Sequence, residues 1–482
     1  MSVSHELSLA EEVKAAYTYA YPLVLMDITC KVSTNVASAT EVSGKAPINQ
    51  FSLSQYFVTP EQKEVVRPNA DTLYCLAWLD LGPEPLVMTV GAMDIYYMLP
   101  ILNGWTNVFT PDGSPNAIGA ASGNKRATNW VLCGPNFKGD IPAGLQRLDL
   151  ATEMAWILGR IECHGDVGGP ADPYSYQSVH QLQSSLHLIP LSSWDGDPDS
   201  YQAPPGVVDP ALDMSTPPPQ QVADLTNIDC SAFFTRFCAL MHANPPDPES
   251  PAMESILQRL GLTPGAQIDW RASMSEQDFA TAQAAAQAAL AAICDPKSAL
   301  EARPGPTPAR EMDPAQNNYW TMITNAKMGD FGRHYFFRAV VAEYGLGANL
   351  VADAIYPSCS LDSNGESMLN NQTYTITFPP GQTPPAKGFW SITVYDAEGY
   401  FIPNAMRRYS YHNWDNPTPD AEGNVVITLC LLEEGRDYSG MNILPLGNAG
   451  DAPASFNLTM RMYWPDVATI DAGWMPPAVC KV

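Results

Sequence analysis

Long apolar stretches are missing from this chain. Crossing a bilayer takes about 20 predominantly apolar residues, and even the apolar run from Tyr21 to Met26 stops at Asp27. Basic residues are scarce as well: 25 lysines and arginines face 51 aspartates and glutamates, for a formal charge of -26. A surface of that sign repels phosphate backbones and anionic lipid, so neither nucleic acid nor membrane is an expected partner, and a small-molecule substrate is. No CxxC pair occurs among the ten cysteines. Several lie in apolar surroundings, as in Leu132-Cys133 and Leu429-Cys430-Leu431, and read as buried thiols, not bridges or zinc ligands. The phosphate-cradling GxGxxG and GxxxxGK[ST] patterns, the zinc-binding HExxH and the nucleophile-bearing GxSxG are all absent. No cofactor and no metal is therefore expected. The opening Met1 to Glu12 has neither a basic segment nor an apolar core of the secretory kind, which predicts a cytoplasmic protein.

What is present points to several domains. A chain of 482 residues, 45% hydrophobic and only 16% charged, exceeds one compact core and predicts two or three. From about Ser8 to Cys30 the chain has helical spacing, at Leu9, Val13, Ala16, Tyr17 and Ala20, and Pro22 is expected to interrupt that helix. From Thr72 to Glu162 short apolar runs alternate with Gly, Pro and Asn clusters, the pattern of a β domain. A Pro-, Asp- and Ser-rich stretch from Ile189 to Pro219 reads as a linker or draped segment. Helices are predicted over Ser231 to His242 and Ser275 to Cys294, the latter with Ser275 as N-cap and Asp278 in its first turn.

A further helix is predicted over Asp330 to Asn349, closed by Gly345 and Gly347. After it, Thr373 to Phe378 and Phe456 to Trp464 alternate in character, which predicts one buried face and one wet face carrying Asn457, Thr459 and Arg461. Turns of the form Asp362-Ser363-Asn364-Gly365, Asp396-Ala397-Glu398-Gly399 and Asp420-Ala421-Glu422-Gly423 argue for an antiparallel sandwich. The expected division is 1–188, a helix plus β domain; 189–329, a Pro-rich linker and helical region; and 330–482, a helix plus β-sandwich. The fold class is α+β, rich in β.

Chemistry concentrates in the first β region. Val65 to Tyr74 puts Arg67, Asn69, Asp71 and Tyr74 beside an apolar strand. Pro68 is expected to hold Arg67 extended and turn the chain so that the polar groups converge. Asp71 could act as general base or hold Arg67 or Arg160, and Asn69 could orient a substrate; equally, the group could be a buried polar knot. A strand from Trp156 to His164 would align Arg160, Glu162 and His164 on one face. That row suits binding of an anionic or carbonyl group by Arg160 and proton transfer by Glu162 or His164, or else a half-exposed Arg-Glu ladder. Trp105 and Asn107, two apart, would offer an aromatic wall and an amide, with phenols from Tyr74 and Tyr97. Arg408 and Tyr409 either close the pocket from the second domain or tie its hairpins.

The Val65 to Tyr74 stretch, Asn103 to Phe109 and Trp156 to Arg160 resemble the bacterial and fungal family catalogued as domain of unknown function 1254. Tyr335 to Asn349, Tyr356-Pro357-Ser358, Phe389 to Asp396, Arg408-Tyr409-Ser410 and Arg461 to Pro465 resemble its C-terminal partner, domain of unknown function 1214. The resemblance implies two jelly-roll-like antiparallel β-sandwich domains with a helical insert, and homo-oligomers in some members. Taken with the residues, the leading expectation is an intracellular enzyme on a small organic molecule, in secondary metabolism, working by acid-base and electrostatic catalysis without a cofactor. A glycan or glycopeptide amidase or binder is the alternative, and a noncatalytic oligomeric scaffold is a third.

Overall fold

A computed structural model describes residues 7–40, 44–63, 65–110, 118, 119, 125–166, 169, 172–246, 250–295, 297 and 314–482. The first six residues, part of the leader reading, lie outside that set. Ser8 and Glu11 form a reciprocal capping box that starts a helix over Leu9–Thr34. That helix runs through Pro22, correcting the expected break. An interior proline costs about 3 kcal/mol. Burial outweighs the loss here, because helices Pro218–Ile228, Cys230–Leu240, Pro251–Arg259, Glu276–Ile293 and Tyr335–Gly345 all pack on it and Tyr17, Leu23, Val24 and Leu25 are sealed. No helix among the described residues is long and apolar enough to cross a membrane.

The N-terminal half lays down β1 (Ser52–Leu53), β2 (Thr72–Asp80), β3 (Leu86–Val90), β4 (Tyr97–Met98), β5 (Ile101–Asn103), β6 (Thr128–Cys133), β7 (Gln146–Asp149), β8 (Met154–Glu162) and β9 (His187–Pro190). One sheet runs β1-β2-β8-β4 with β5 also on β8, and a second runs β7-β6-β3-β9. Leu73, Cys75, Ala77, Ala155, Ile157 and Ile161 of the first pack on Met88, Trp130, Leu132 and Leu188 of the second, so two sheets enclose one core.

The C-terminal half repeats the plan with β10 (Trp320–Thr321), β11 (Ala354–Ile355), β12 (Ser358–Cys359), β13 (Tyr374–Phe378), β14 (Trp390–Asp396), β15 (Ser410–His412), β16 (Val425–Leu432), β17 (Ile443–Asn448), β18 (Phe456–Tyr463) and β19 (Val479–Lys481). Its sheets run β10-β12-β18-β14-β15, with β11 also on β18, and β17-β16-β13-β19. Ile392, Val394, Leu458 and Met460 meet Tyr374, Ile376, Ile427 and Leu444 between them. The fold is mixed α+β and rich in β. It is not wholly antiparallel, since β6 pairs β7 and β16 pairs β17 in parallel.

One expectation fails in a way that locates the site. The polar face of β18 is not wet: Thr459, Arg461 and Tyr463 are buried, as are Ser391, Thr393 and Tyr395 on the same face of β14. What covers them is the N-terminal sandwich. Arg67 donates to the Thr459 hydroxyl at 2.9 Å and Ser391 donates to Asp71 at 2.6 Å.

Candidate functional site

A side-chain turn builds the first wall. Asn69 Oδ1 accepts from the backbone N–H of Asp71 (3.0 Å) and Thr72 (2.7 Å) and from the Thr72 hydroxyl (3.1 Å), which swings the chain into β2 with Asp71 at its start. The amide nitrogen of Asn69 is buried with no hydrogen-bond partner among the described residues. Arg67 is not extended as expected but left-handed, at φ 51°. Proline disfavours chiefly the right-handed helical region for the residue before it, and the C-terminal domain holds this alternative by accepting the Arg67 N–H at Gly399 O, 2.8 Å away. Arg67 is exposed but edges the polar centre, its guanidinium bonded to Thr459 and 5.7 Å from the Tyr395 ring centroid.

Asp71 is fully buried. Its Oδ2 accepts from Ser391, and its Oδ1 has no partner among the described residues. The cation that balances it comes from β18, where Arg461 lies within electrostatic reach. Arg461 Nη1 donates to the Thr393 hydroxyl (2.8 Å), and Nη2 to the Arg67 carbonyl (3.0 Å) and the Tyr395 hydroxyl (2.6 Å). Tyr395 in turn donates to the Pro68 carbonyl at 2.5 Å. A buried guanidinium needs this many acceptors to offset its lost hydration.

Arg160 forms the second centre. β2 and β8 pair Tyr74 with Arg160, and the guanidinium carbon lies 5.2 Å from the Tyr74 ring centroid. Arg160 Nη1 donates to Asn349 Oδ1 at 3.3 Å, and Asn349 Nδ2 donates to the Tyr356 hydroxyl at 2.7 Å. The Asn349 loop reaches this close to β8 because Gly347, at φ +89°, has no side chain; a Cβ there would sit 2.4 Å from Leu158 and 3.2 Å from the Trp156 ring. Tyr356 and Arg160 both lie in the dense middle of the molecule. Yet 37% of the Tyr356 surface is open, and Arg160 and Tyr74 are partly open too. Open surface surrounded by that much protein faces a hollow. Leu76, Trp156, Leu158 and Leu350 form an apolar cluster beside it.

The phenols around the hollow are neutral donors at ordinary pH. Burial pushes Tyr96, Tyr356 and Tyr463 above the usual phenol value; for Tyr96 and Tyr463, nearby Asp353 and Asp71, respectively, reinforce the effect. The Tyr463 hydroxyl is buried, has no hydrogen-bond partner among the described residues, and lies within electrostatic reach of Asp71, Tyr356, Arg160 and Arg461.

Thus Asp71, Tyr74 and Arg160 gather here, joined by Ser391, Tyr395, Arg461, Tyr463, Asn349 and Tyr356 from beyond the first β domain. Other candidates go elsewhere. Trp105 and Asn107 occupy a turn, not a strand, so they share no sheet face: the Trp105 indole donates to Pro245 O at 2.8 Å inside the helical core, and Asn107 Oδ1 accepts from Phe331 N at 3.0 Å. Tyr97 points into the N-terminal core, where burial pushes its phenol up to about 12. Glu162 shares the Arg160 face but bonds His164 at 3.0 Å, and that ring stacks on Trp414. Arg408 pairs Asp415 at 3.0 Å and, with Asp415, lines a separate groove of about 430 Å³. Tyr409 stacks on Phe401. No cluster of three or more metal-ligating side chains occurs among the described residues.

Two β-sandwiches that bury their polar faces against each other around a hollow define the class. Residues 48–190 match the family described as protein of unknown function (DUF1254), and residues 353–467 match protein of unknown function (DUF1214). The chain belongs to the two-domain family that joins them in this order. The crystal structure of the VPA0106 protein from Vibrio parahaemolyticus is similar over 98% of this chain and 100% of its own, at 17% identity and a TM-score of 0.69, and supports the fold. An uncharacterised protein from Burkholderia cenocepacia covers 96% of this chain and 87% of its own at 12% identity, but a TM-score of 0.36 carries no argument. No curated protein matches the chain.

Asn349, Tyr356, Arg461 and Tyr463 escaped the sequence reading as site residues. The available signal was an unusual one: arginine and tyrosine on the face of β18 expected to be wet, where a plain solvent face needs neither.

Proposed function

We propose that this chain is an intracellular enzyme that transforms a small organic molecule by proton transfer and electrostatic stabilisation, in the class of hydrolysis, elimination, isomerisation or cyclisation. The observation that carries the reading is unspent polar capacity at one place. Asn69 Nδ2, Asp71 Oδ1 and the Tyr463 hydroxyl are sealed from solvent without partners among the described residues, and Asp71 and Tyr463 lie within electrostatic reach of the partly open Tyr356. Each such group costs folding about 1–3 kcal/mol, and perturbed or unpaired groups of this kind cluster where chemistry is done. In this reading Asp71 takes up a proton with its free oxygen, and Arg160 steadies the charge that develops on the substrate. The Trp105 indole and the Asn107 amide are bonded to protein instead of offering an aromatic wall and an amide, so these two residues lend nothing to the glycan alternative.

The test is to incubate wild type, Asp71→Asn and Arg160→Ala with a small-molecule extract of the source cells and follow its composition by mass spectrometry. Wild type should deplete a compound that both variants leave intact, with circular dichroism confirming that the variants fold. Equal depletion by all three would remove the reading.

A further inference from the structure

Hydrogen-bond direction around Arg160 is fixed by chemistry. An arginine only donates, so the Asn349 oxygen must face it, and the Asn349 nitrogen must then face Tyr356. The Tyr356 oxygen is thereby an acceptor, and its own proton cannot return to Asn349. No described protein group receives that proton, while more than a third of the residue's surface is open. Two further donors lie close by: the partnerless Tyr463 hydroxyl, sealed from solvent but within electrostatic reach of Tyr356 and Arg160, and the partly open guanidinium of Arg160. Hydroxyl donors around a fixed cation, beside an apolar wall of Leu76, Trp156, Leu158 and Leu350, match one kind of guest.

We infer that the hollow is an oxyanion subsite: Tyr356 and Tyr463 donate to, and Arg160 faces, an anionic phenolate, enolate or carboxylate oxygen on a small molecule whose apolar body lies against the Trp156 wall. This rests on the enzymatic reading and deepens it by naming the substrate class. Tyr356 touches the substrate oxygen. Asn349 is a positioning residue, which transmits the pull of Arg160 and aims the phenol proton away from itself. Burial raises the affinity of both phenols for their protons, so they serve as donors at the pH where the guest is an anion.

The test compares two probes of nearly equal shape, 4-nitrophenolate and neutral nitrobenzene, by equilibrium binding to the full chain. A charged acceptor gains on the order of tenfold or more from one such hydrogen bond. Wild type should therefore prefer 4-nitrophenolate by about that factor or more. Tyr356→Phe and Asn349→Ala should each erase most of the preference while leaving nitrobenzene affinity unchanged, and Tyr463→Phe gives a second, independent phenol should Tyr356→Phe fail to fold. Equal affinity for the two probes, no binding of either, or a preference that survives both tyrosine variants overturns the subsite. An anion preference in a protein that depletes nothing from the extract would sink the enzymatic reading alone. Depletion that needs Asp71 and Arg160, without any anion preference, would sink the subsite alone.

Discussion

Two asparagine turns in the N-terminal sandwich use the same device for opposite ends. Asn103 Oδ1 accepts from the backbone N–H of Trp105 and Asn107, at 2.9 and 3.1 Å, and Asn69 Oδ1 accepts from those of Asp71 and Thr72. The first turn then commits its side chains to protein. The Trp105 indole is bound to Pro245, Asn107 is bound to Phe331, and the Trp105 ring packs against a tilted Tyr19 ring and the edge of Phe237; the Thr106 hydroxyl is the exception. The second turn leaves Asn69 Nδ2 and Asp71 Oδ1 buried and uncommitted. Sequence pattern reads both as contributors to a pocket. The difference lies in what the rest of the chain brings to each, a helical core in one case and the polar face of β14 and β18 in the other.

That contrast predicts where stability and binding separate. Trp105→Ala should cost about 3–5 kcal/mol in urea unfolding and leave the ratio of 4-nitrophenolate to nitrobenzene affinity unchanged; a changed ratio would place Trp105 in the site after all. The contact between Asp415 and His412, whose ring also meets the Ala70 carbonyl beside Asp71 at 3.1 Å, sharpens the comparison on the interdomain side. Burial alone would push the Asp415 carboxyl up, but the hydrogen bond and charge of His412 and the Arg408 guanidinium more than reverse this and hold it below the usual range. A depressed folded value stabilises above the unfolded value of about 3.9 and is lost as pH falls through the folded value. Asp415→Asn should thus lower stability at neutral pH by about 1.5–3 kcal/mol, and its deficit should shrink as pH drops below the ordinary aspartate range. A constant deficit across that range would contradict the linkage.

Gly347→Ala tests the approach of the Asn349 loop to β8. Strain at positive φ together with the clash on Leu158 and Trp156 should cost about 1–3 kcal/mol and remove the anion preference, because Asn349 moves. Retention of the preference would show that the loop can give without moving its amide. Smallest in stability is Tyr463→Phe. Removing a buried hydroxyl that has no partner should leave unfolding unchanged or raise stability by up to about 1 kcal/mol, while 4-nitrophenolate binding weakens. A clear loss of stability would mean that the hydroxyl is bonded in solution.

Much of the fold was legible because it rests on local rules. The alternation of Tyr374, Ile376 and Phe378 against Thr375 and Thr377 gave β13 its inward and outward faces, and Ser275 caps its helix through the Asp278 N–H at 3.1 Å, as its position predicts. Pro22 was misread because a local penalty was set against tertiary burial that no local window contains. The site was half legible for the same reason. Asp71 stands at the entry to β2 and Arg160 lies on β8, its partner strand in one sheet, so the strand period places Arg160 on the correct face. Arg461, 301 residues further along, Tyr463 and Tyr356 meet them only when one sandwich covers the other, and alternation on β18 cannot distinguish a face open to water from one closed by a second domain.

A structure of the protein co-crystallised with 4-nitrophenolate tests the central claim most directly. The account predicts the ring against Trp156 and Leu158, with its anionic oxygen within hydrogen-bonding distance of the Tyr356 and Tyr463 hydroxyls and facing Arg160. An empty interdomain hollow with the probe held instead in the Arg408 and Asp415 groove, or Tyr356 and Arg160 closed against each other with no space between, would contradict it.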